Sequence, residues 1–238
     1  KTLNSGSSYI ETVSWGKEDF ECDHAILSAA IGWNPEETRL LIAADYNQFA
    51  VINLQDLKTQ NYQTNFQEPR GIIDGLSFNP DQTKIVALNL KQLEVIDCNN
   101  PSNSKLSSSL PGNDIMQWVF PYEKEVLSLS YNKAYRWDYN AKMLNKFDLK
   151  GVVLLVHPNQ YILSYDIEQQ QIHCYNTEGE LLKSFDNCLI PKAMVYYKNN
   201  LLDSHLERKL LSANGNKLLC LDANNPQEFK FIDLSNLK

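Results

Sequence analysis

A short pattern recurs along this chain: an apolar, strand-like run that ends on Asn or Asp. The five occurrences end at Asn53, Asp97, Asp138, Asn176 and Asp222, so that successive markers lie 44, 41, 38 and 46 residues apart. A second marker, an apolar residue shortly before a proline, lies upstream at Pro35, Pro80, Pro121 and Pro158. Self-similarity at a period of roughly 20 to 50 residues is typical of repeat architectures, whose units stack to share one core.

Each repeat contains four short apolar runs separated by turn residues. In the third repeat these runs cover residues 115–120, 125–130, 133–138 and 143–149. Short runs bounded by Asn, Asp, Pro or Gly are typical of β-strands rather than helices. We therefore predict an all-β fold built of four-stranded antiparallel units. The five predicted units span residues 25–66, 71–110, 112–150, 151–187 and 192–234.

The two ends of the chain depart from the regular repeat. The fifth unit is longer because the segment 201–206 is inserted before its strands. Those strands are predicted at residues 209–213, 217–222 and 229–234. One period before Asn53 lies the alternating run Tyr9 to Val13, which predicts a further strand. We expect residues 1–24 to form a partial unit or a closing strand. If this strand pairs beside the last unit, the assembly closes within the chain; if an edge stays open, a partner or a segment outside this sequence must cover it.

These features resemble the WD40-repeat β-propeller, in which four-stranded blades surround a central channel. The run Phe78-Asn79-Pro80-Asp81-Gln82-Thr83-Lys84 is similar to the family's Phe-Ser-Pro-Asp-Gly-Lys turn. Trp137-Asp138 matches the family's Trp-Asp pair, and the resemblance covers nearly the whole chain from Ala25 onward. The resemblance implies a β-propeller with five full blades and a partial N-terminal blade, within a ring of six or seven.

Other residues of that family are missing. No Gly-His pair precedes the first strand of any repeat. The Asp expected six residues before the Trp of the Trp-Asp pair is replaced by Tyr46, Leu90, Tyr131, Gln169 and Gly215. We therefore expect the family's Asp-His-Ser/Thr-Trp hydrogen-bond network to be absent, and the blades to be held together by apolar packing.

Charge and composition restrict the partners and the compartment. The formal net charge is −7, and no run of Lys or Arg reaches three residues. Nucleic acid and anionic membranes both need a basic footprint, so we expect neither as a partner. The longest apolar runs, 25–31 and 152–156, are shorter than the about 18 residues of a membrane span. Five scattered cysteines without a Cys-x-x-Cys pair indicate reduced thiols and a cytoplasmic protein, with the nucleus as the alternative.

The sequence offers few groups for catalysis. The run 75–78 approaches a Gly-x-Ser-x-Gly nucleophile turn but lacks its final glycine. The trio Cys22-Asp23-His24 has no recognisable partner ligands for a metal. The first strands of the units are apolar, and only Asp74 and Asp114 lie near a channel mouth. We predict no enzymatic activity, cofactor or metal site; the alternatives are a channel hydrolase or lyase using those two carboxylates, and a carbohydrate-binding propeller.

Several aromatic residues fall outside the pattern that predicts the core. Repeat-equivalent or strand positions place Trp33, Phe78, Trp118 and Trp137 in the predicted core. The residues that we predict at an interaction surface are Trp15, Tyr62, Tyr122, Tyr139, Asp74, Asp114 and His205. Exposed aromatic side chains are typical anchors of protein interfaces. The leading hypothesis is therefore a non-catalytic scaffold or adaptor that presents its loops to other proteins or peptides.

Overall fold

The computed structural model describes residues 12–15, 18–21, 31–33, 38–43, 47–67, 73–157, 161–190 and 216–236. Regular structure in these ranges is almost entirely β-strand, with one short 3-10 turn at Pro101–Asn103. None of the helical segments in the described ranges is long and apolar enough to cross a membrane. The predicted all-β architecture is confirmed.

Strands that follow one another along the chain pair with one another, so each sheet is a simple meander. The N-terminal sheet contains β1 (Thr12–Trp15) and β2 (Glu18–Glu21). Sheet 1 contains β3 (Ile31–Trp33), β4 (Arg39–Ala43), β5 (Gln48–Asn53) and β6 (Thr59–Gln63). Sheet 2 contains β7 (Gly75–Phe78), β8 (Lys84–Leu88), β9 (Leu93–Asp97) and β10 (Lys105–Leu106).

The later sheets follow the same order. Sheet 3 contains β11 (Trp118–Pro121), β12 (Val126–Leu129), β13 (Lys133–Trp137) and β14 (Met143–Asp148). Sheet 4 contains β15 (Val152–His157), β16 (Tyr161–Asp166), β17 (Gln171–Asn176) and β18 (Leu181–Phe185). Sheet 5 contains β19 (Cys188–Leu189), β20 (Lys217–Asp222) and β21 (Phe229–Asp233). The sequence did not predict the short strand β19, and the strand predicted at 209–213 lies outside the described residues.

The Asn or Asp that marks each repeat has one structural role. Its side-chain Oδ1 accepts a hydrogen bond from the backbone N–H two residues later, which forms an Asx turn between the last two strands of each sheet. The five bonds measure 2.9 Å for Asn53 and Gln55, 2.8 Å for Asp97 and Asn99, 2.8 Å for Asp138 and Asn140, 3.0 Å for Asn176 and Glu178, and 2.8 Å for Asp222 and Asn224. Local turn chemistry therefore explains the most regular feature of the sequence.

A second bond recurs where the chain leaves each fourth strand. A residue shortly after the end of that strand donates its N–H to a carbonyl in the turn between the second and third strands of the same sheet. The four bonds are Thr64 to Asn47 at 2.7 Å, Leu110 to Lys91 at 2.9 Å, Leu149 to Asn132 at 2.7 Å and Cys188 to Gln170 at 2.9 Å. These bonds fix the start of each link, and they place it at the same end of the sheet as that turn.

The chain divides into two compact units, one of residues 1–128 and 136–144 and the other of residues 129–135 and 145–238. In the first unit, sheets 1 and 2 pack face to face. Leu41 and Val51 of sheet 1 share a buried cluster with Ile85 and Ile96 of sheet 2. In this unit β7 also contacts β3 and β11, so that the first strands of successive sheets are neighbours.

In the second unit, sheets 4 and 5 pack in the same way. Leu163 and Cys174 of sheet 4 share a buried cluster with Leu218, Cys220 and Ile232 of sheet 5. The residues between them in sequence point to the opposite faces, because side chains alternate along a strand. Each of these sheets therefore uses one face for this shared core.

Sheet 3 contains a chain of buried hydrogen bonds where the sequence predicts apolar packing. Trp137 Nε1 donates a 2.9 Å hydrogen bond to Ser128 Oγ, and Ser128 Oγ donates to the Met116 sulfur at 3.0 Å. All three side chains are buried. The hydroxyl of Ser128 thus links Trp137 to Met116, so apolar packing alone does not hold sheet 3 together.

Sheet 4 carries a related set of bonds, whereas sheets 1 and 2 do not. The residue at the position of Trp137 is Tyr175, whose hydroxyl accepts a 3.0 Å bond from the N–H of Lys150. Ser164, at the position of Ser128, donates to the Lys150 carbonyl at 2.5 Å. The equivalent positions of the first two sheets hold Ile42, Ile52, Ala87 and Ile96, all buried. Apolar packing at these positions, as expected from the sequence, is confirmed for sheets 1 and 2 only.

Candidate interaction surface

Tyr62, predicted at the surface, lies in the core of sheet 1. Its ring stacks on that of Phe49, with centroids 5.1 Å apart and planes inclined by 6°. Only 6% of the residue is exposed, and burial raises the pKa of its hydroxyl. Its neighbours Asn61 and Gln63 are exposed, which is why the sequence around it is polar. Tyr62 therefore stabilises the sheet instead of offering a contact.

Tyr122 and Tyr139 are brought together at one end of sheet 3. The Tyr139 hydroxyl donates a hydrogen bond to the Tyr122 carbonyl, and burial raises the pKa of that hydroxyl. Both residues are half-buried. The bond joins the turn after the first strand to the turn after the third, so these two tyrosines brace the turns of this sheet.

Asp74 and Asp114 lie at the opposite ends of their strands from those turns. Asp74 sits at the surface just before β7, yet the protein atoms around its carboxyl raise its pKa to about 6. Asp114 is half-buried, and its backbone carbonyl accepts a 2.6 Å bond from Lys91 Nζ. The same ammonium also bonds the Gly112 carbonyl at 2.7 Å. Lys91 therefore holds the link before β11 in place through backbone carbonyls.

The side chains of two predicted surface residues, Trp15 and His205, lie outside the part of the chain that the structure describes. Trp15 is the last residue of β1, and its side chain lies outside what the structure describes. His205, together with the trio Cys22-Asp23-His24, also lies outside the described residues. These predictions remain predictions.

The fifth sheet presents an apolar face that the sequence did not single out. Phe229 and Phe231 are 68% and 66% exposed, although both belong to β21. Across the sheet, Leu221 pairs with Phe229 and Leu219 with Phe231, and both leucines are half-buried. These four side chains share one face because side chains two residues apart point the same way.

A charged pair closes one end of this face. Lys217 pairs across the strands with Asp233, next to Leu219 and Phe231. Hydrogen bonds from Ser235, and then the positive charge of Lys217, lower the pKa of the Asp233 carboxyl. We call the six residues together the open face. They are Lys217, Leu219, Leu221, Phe229, Phe231 and Asp233.

The other face of sheet 5 shows how unusual this exposure is. Leu218, Cys220 and Ile232 on that other face are all buried against sheet 4. Sheet 1 has buried apolar side chains on both faces, with Leu41 on one and Leu40 on the other. The sequence of β21 alone resembles that of an ordinary strand. The second apolar face becomes visible only when the structure pairs Phe229 and Phe231 with Leu221 and Leu219.

Within the part of the chain that the structure describes, the remaining side chains form no metal centre. Among the described residues, no group of three or more His, Cys, Asp and Glu side chains could hold a metal ion. Cys98, Cys174, Cys188 and Cys220 are free thiols. Comparison with models of protein families and with curated proteins finds no match for this chain. The open face is thus the feature of the described structure that points most directly to a function.

Proposed function

We propose that this chain is a non-catalytic interaction module that binds other proteins through the open face of its fifth sheet. The observation that carries the proposal is the exposure of Phe229 and Phe231 on one strand, at 68% and 66%. A contiguous apolar patch with a charged rim is typical of protein-binding surfaces. Aromatic side chains supply much of the affinity of such surfaces.

The fold that carries this face is, in our proposal, a divergent WD40-like β-propeller. Two observations support it. The first strands of successive sheets are neighbours in the first unit, where β7 contacts β3 and β11. Successive sheets also pack face to face, as Leu41 of sheet 1 does against Ile85 of sheet 2. In propellers such sheets stand radially around a channel.

The physical basis of binding is burial of apolar area on a rigid sheet. Removing one phenylalanine side chain from water contributes roughly 1.5 to 3 kcal/mol. The backbone of β21 is already paired with β20 over five residue pairs, from Phe229 to Asp233. Little ordering entropy is therefore lost when a partner covers the face. We place this activity in the cytoplasm, where thiols such as that of Cys220 stay reduced.

Affinity capture with three forms of the tagged full chain tests the proposal. The forms are the wild type, the double variant Phe229→Ser/Phe231→Ser, and Leu181→Ser as a matched control. Leu181 is 45% exposed on β18, so it removes a similar side chain from another surface. We expect partner proteins with the wild type and the control but not with the double variant. Equal capture by all three forms, each folded by circular dichroism, contradicts the proposal.

One observation favours a second candidate, a channel hydrolase or lyase. Although Asp74 lies at the surface, the protein atoms around its carboxyl desolvate it and raise its pKa to about 6. Shifted carboxyl groups are frequent at catalytic sites. Turnover of a chromogenic ester or glycoside that disappears in Asp74→Asn favours this candidate, and turnover that the variant retains excludes Asp74 as its catalytic group.

A further inference from the structure

We infer that the open face of sheet 5 is self-complementary and pairs with the same face of a second copy of this chain. The inference rests on the proposed function, since it names the partner of the same surface. Its evidence is the order of side chains across β20 and β21. Lys217 lies opposite Asp233, Leu219 opposite Phe231, and Leu221 opposite Phe229.

This register gives the face a simple symmetry. A two-fold axis parallel to the strands, midway between β20 and β21, exchanges the two strands at the same height. It therefore places Lys217 over Asp233 of the second copy, and Asp233 over its Lys217. It also places Leu219 over Phe231 and Leu221 over Phe229 of the second copy. Every charge meets an opposite charge, and every apolar side chain meets another.

The packing geometry of β-sheets permits such an arrangement. Two sheets that pack face to face lie about 10 Å apart with strands inclined by about 30°. At this spacing a leucine from one sheet and a phenylalanine from the other fill the gap. A two-fold contact of one patch with itself is also the commonest symmetry of protein oligomers.

Charge favours a like partner over a strongly charged one at this face. The face carries one Lys and one Asp, so its own net charge is zero although the chain carries −7. A basic partner gains nothing from the Lys217 end, and an acidic partner gains nothing from the Asp233 end. A second copy places an opposite charge at both ends of the face. The overall charge of two copies is repulsive, and physiological salt screens it beyond about 8 Å.

The size of the face sets the expected strength. Stable interfaces bury about 800 Å² on each partner, or 20 to 30 residues a side. The open face has six residues, so we expect a weak, reversible dimer with a dissociation constant of about 10 to 100 µM. The monomer should dominate at about 1 µM, and the dimer at several hundred micromolar.

Charge-swap variants of the full chain test the inference by sedimentation velocity from about 1 to 300 µM. Lys217→Asp places two acidic side chains in each contact of the homodimer, and Asp233→Lys places two basic ones. We expect each variant alone to bind itself about tenfold more weakly than the wild type. Mixed in equal amounts, the two variants should associate at near wild-type strength, because the opposite charges meet again. Phe231→Ser should stay monomeric throughout.

A control separates charge from local folding. Asp233 accepts bonds from the N–H and the hydroxyl of Ser235, at 2.8 and 2.5 Å. Ser235→Ala removes the hydroxyl bond without changing the charge, and we expect it to dimerise like the wild type. The thermal midpoints of all variants are measured alongside, so that loss of dimer through unfolding is recognised.

Two results overturn the inference: a wild type that stays monomeric at 300 µM, or a mixture of the charge-swap variants that associates no better than either alone. If capture of a different protein still depends on Phe229 and Phe231, the dimer is wrong and the proposed function stands. If the wild type neither dimerises nor captures a protein through these residues, both are wrong.

Discussion

The indole N–H of Trp137 donates a hydrogen bond to the hydroxyl of Ser128, with 2.9 Å between nitrogen and oxygen, and both side chains are buried within sheet 3. Ser128→Ala leaves the indole N–H without its acceptor in a buried site. Such a group costs about 1 to 3 kcal/mol, and we expect a loss of that size in the free energy of unfolding. Urea titration measures it.

A double-mutant cycle supplies the control for that bond. Trp137→Phe has no N–H to leave unpaired, so Ser128→Ala should cost less when made in that background. An equal cost in both backgrounds contradicts a specific role for the bond between Trp137 and Ser128.

Alanine substitutions at two glycines with positive φ distinguish the cost of backbone strain from the cost of a steric clash. A Cβ at Gly151 (φ +74°) lies 2.1 Å from the Tyr165 carbonyl oxygen, whereas one at Gly112 (φ +57°) has no atom within 4 Å. Gly112→Ala should cost about 1 to 2 kcal/mol for the left-handed conformation alone. Gly151→Ala should cost at least about 2 kcal/mol more, because backbone atoms must also move. Similar losses in the two variants, measured by denaturant unfolding, argue against the close packing at Gly151.

The raised pKa of Asp74 gives stability a specific pH dependence. The folded protein holds this proton up to about pH 6, whereas the unfolded carboxyl releases it near 3.8. Asp74 therefore contributes stability at low pH that is lost as the pH rises from 3.8 through 6. Asp74→Asn should be more stable than the wild type at pH 7, and the difference should shrink towards pH 4. Thermal midpoints at several pH values check this, and a difference that grows at low pH contradicts it.

His173 in sheet 4 should make stability depend on pH in the opposite direction. The ring is buried, with Nδ1 2.8 Å from Ser184 Oγ, and burial, followed by the charge of Lys150, lowers its pKa below 6.5. Below pH 6.5 the unfolded chain binds a proton that the folded ring resists, so stability falls as the pH falls. His173→Gln should lose less stability than the wild type between pH 7 and pH 5. Parallel curves for the two proteins exclude this role.

Local chemistry was predictable from the sequence, and contacts between distant elements were not. The Asn and Asp markers could be found because an Asx turn needs only the side chain and an amide two residues later, as in Asp138 and Asn140. Strand positions followed from the alternation of apolar residues. The alternation did not predict that β10 ends at Leu106. The strand ends there because the Ser107 hydroxyl, and not a backbone carbonyl, accepts the hydrogen bond from the Leu93 N–H at 2.9 Å.

The residues of the candidate surface were even harder to predict, because their exposure depends on contacts between distant strands. Tyr62 lies among polar neighbours in sequence, and only its register opposite Phe49 shows that it is buried. The exposure of Phe229 and Phe231 depends on which face of sheet 5 packs against sheet 4, a choice that no short stretch of sequence records. Similarly, the sulfur of Met116 was not recognisable as the acceptor for Ser128, since the two residues lie twelve positions apart and meet only in the folded chain.

Site-specific photo-crosslinking in cells tests the central claim most directly. A photoreactive phenylalanine analogue replaces Phe231 in one form of the full chain and Leu181 in another, and crosslinked products are identified by mass spectrometry. We predict discrete crosslinks to protein, including a second copy of this chain, from position 231 and at most a weak background from position 181. Equal yields from the two positions, or none from position 231, contradict the claim that the open face of sheet 5 binds protein.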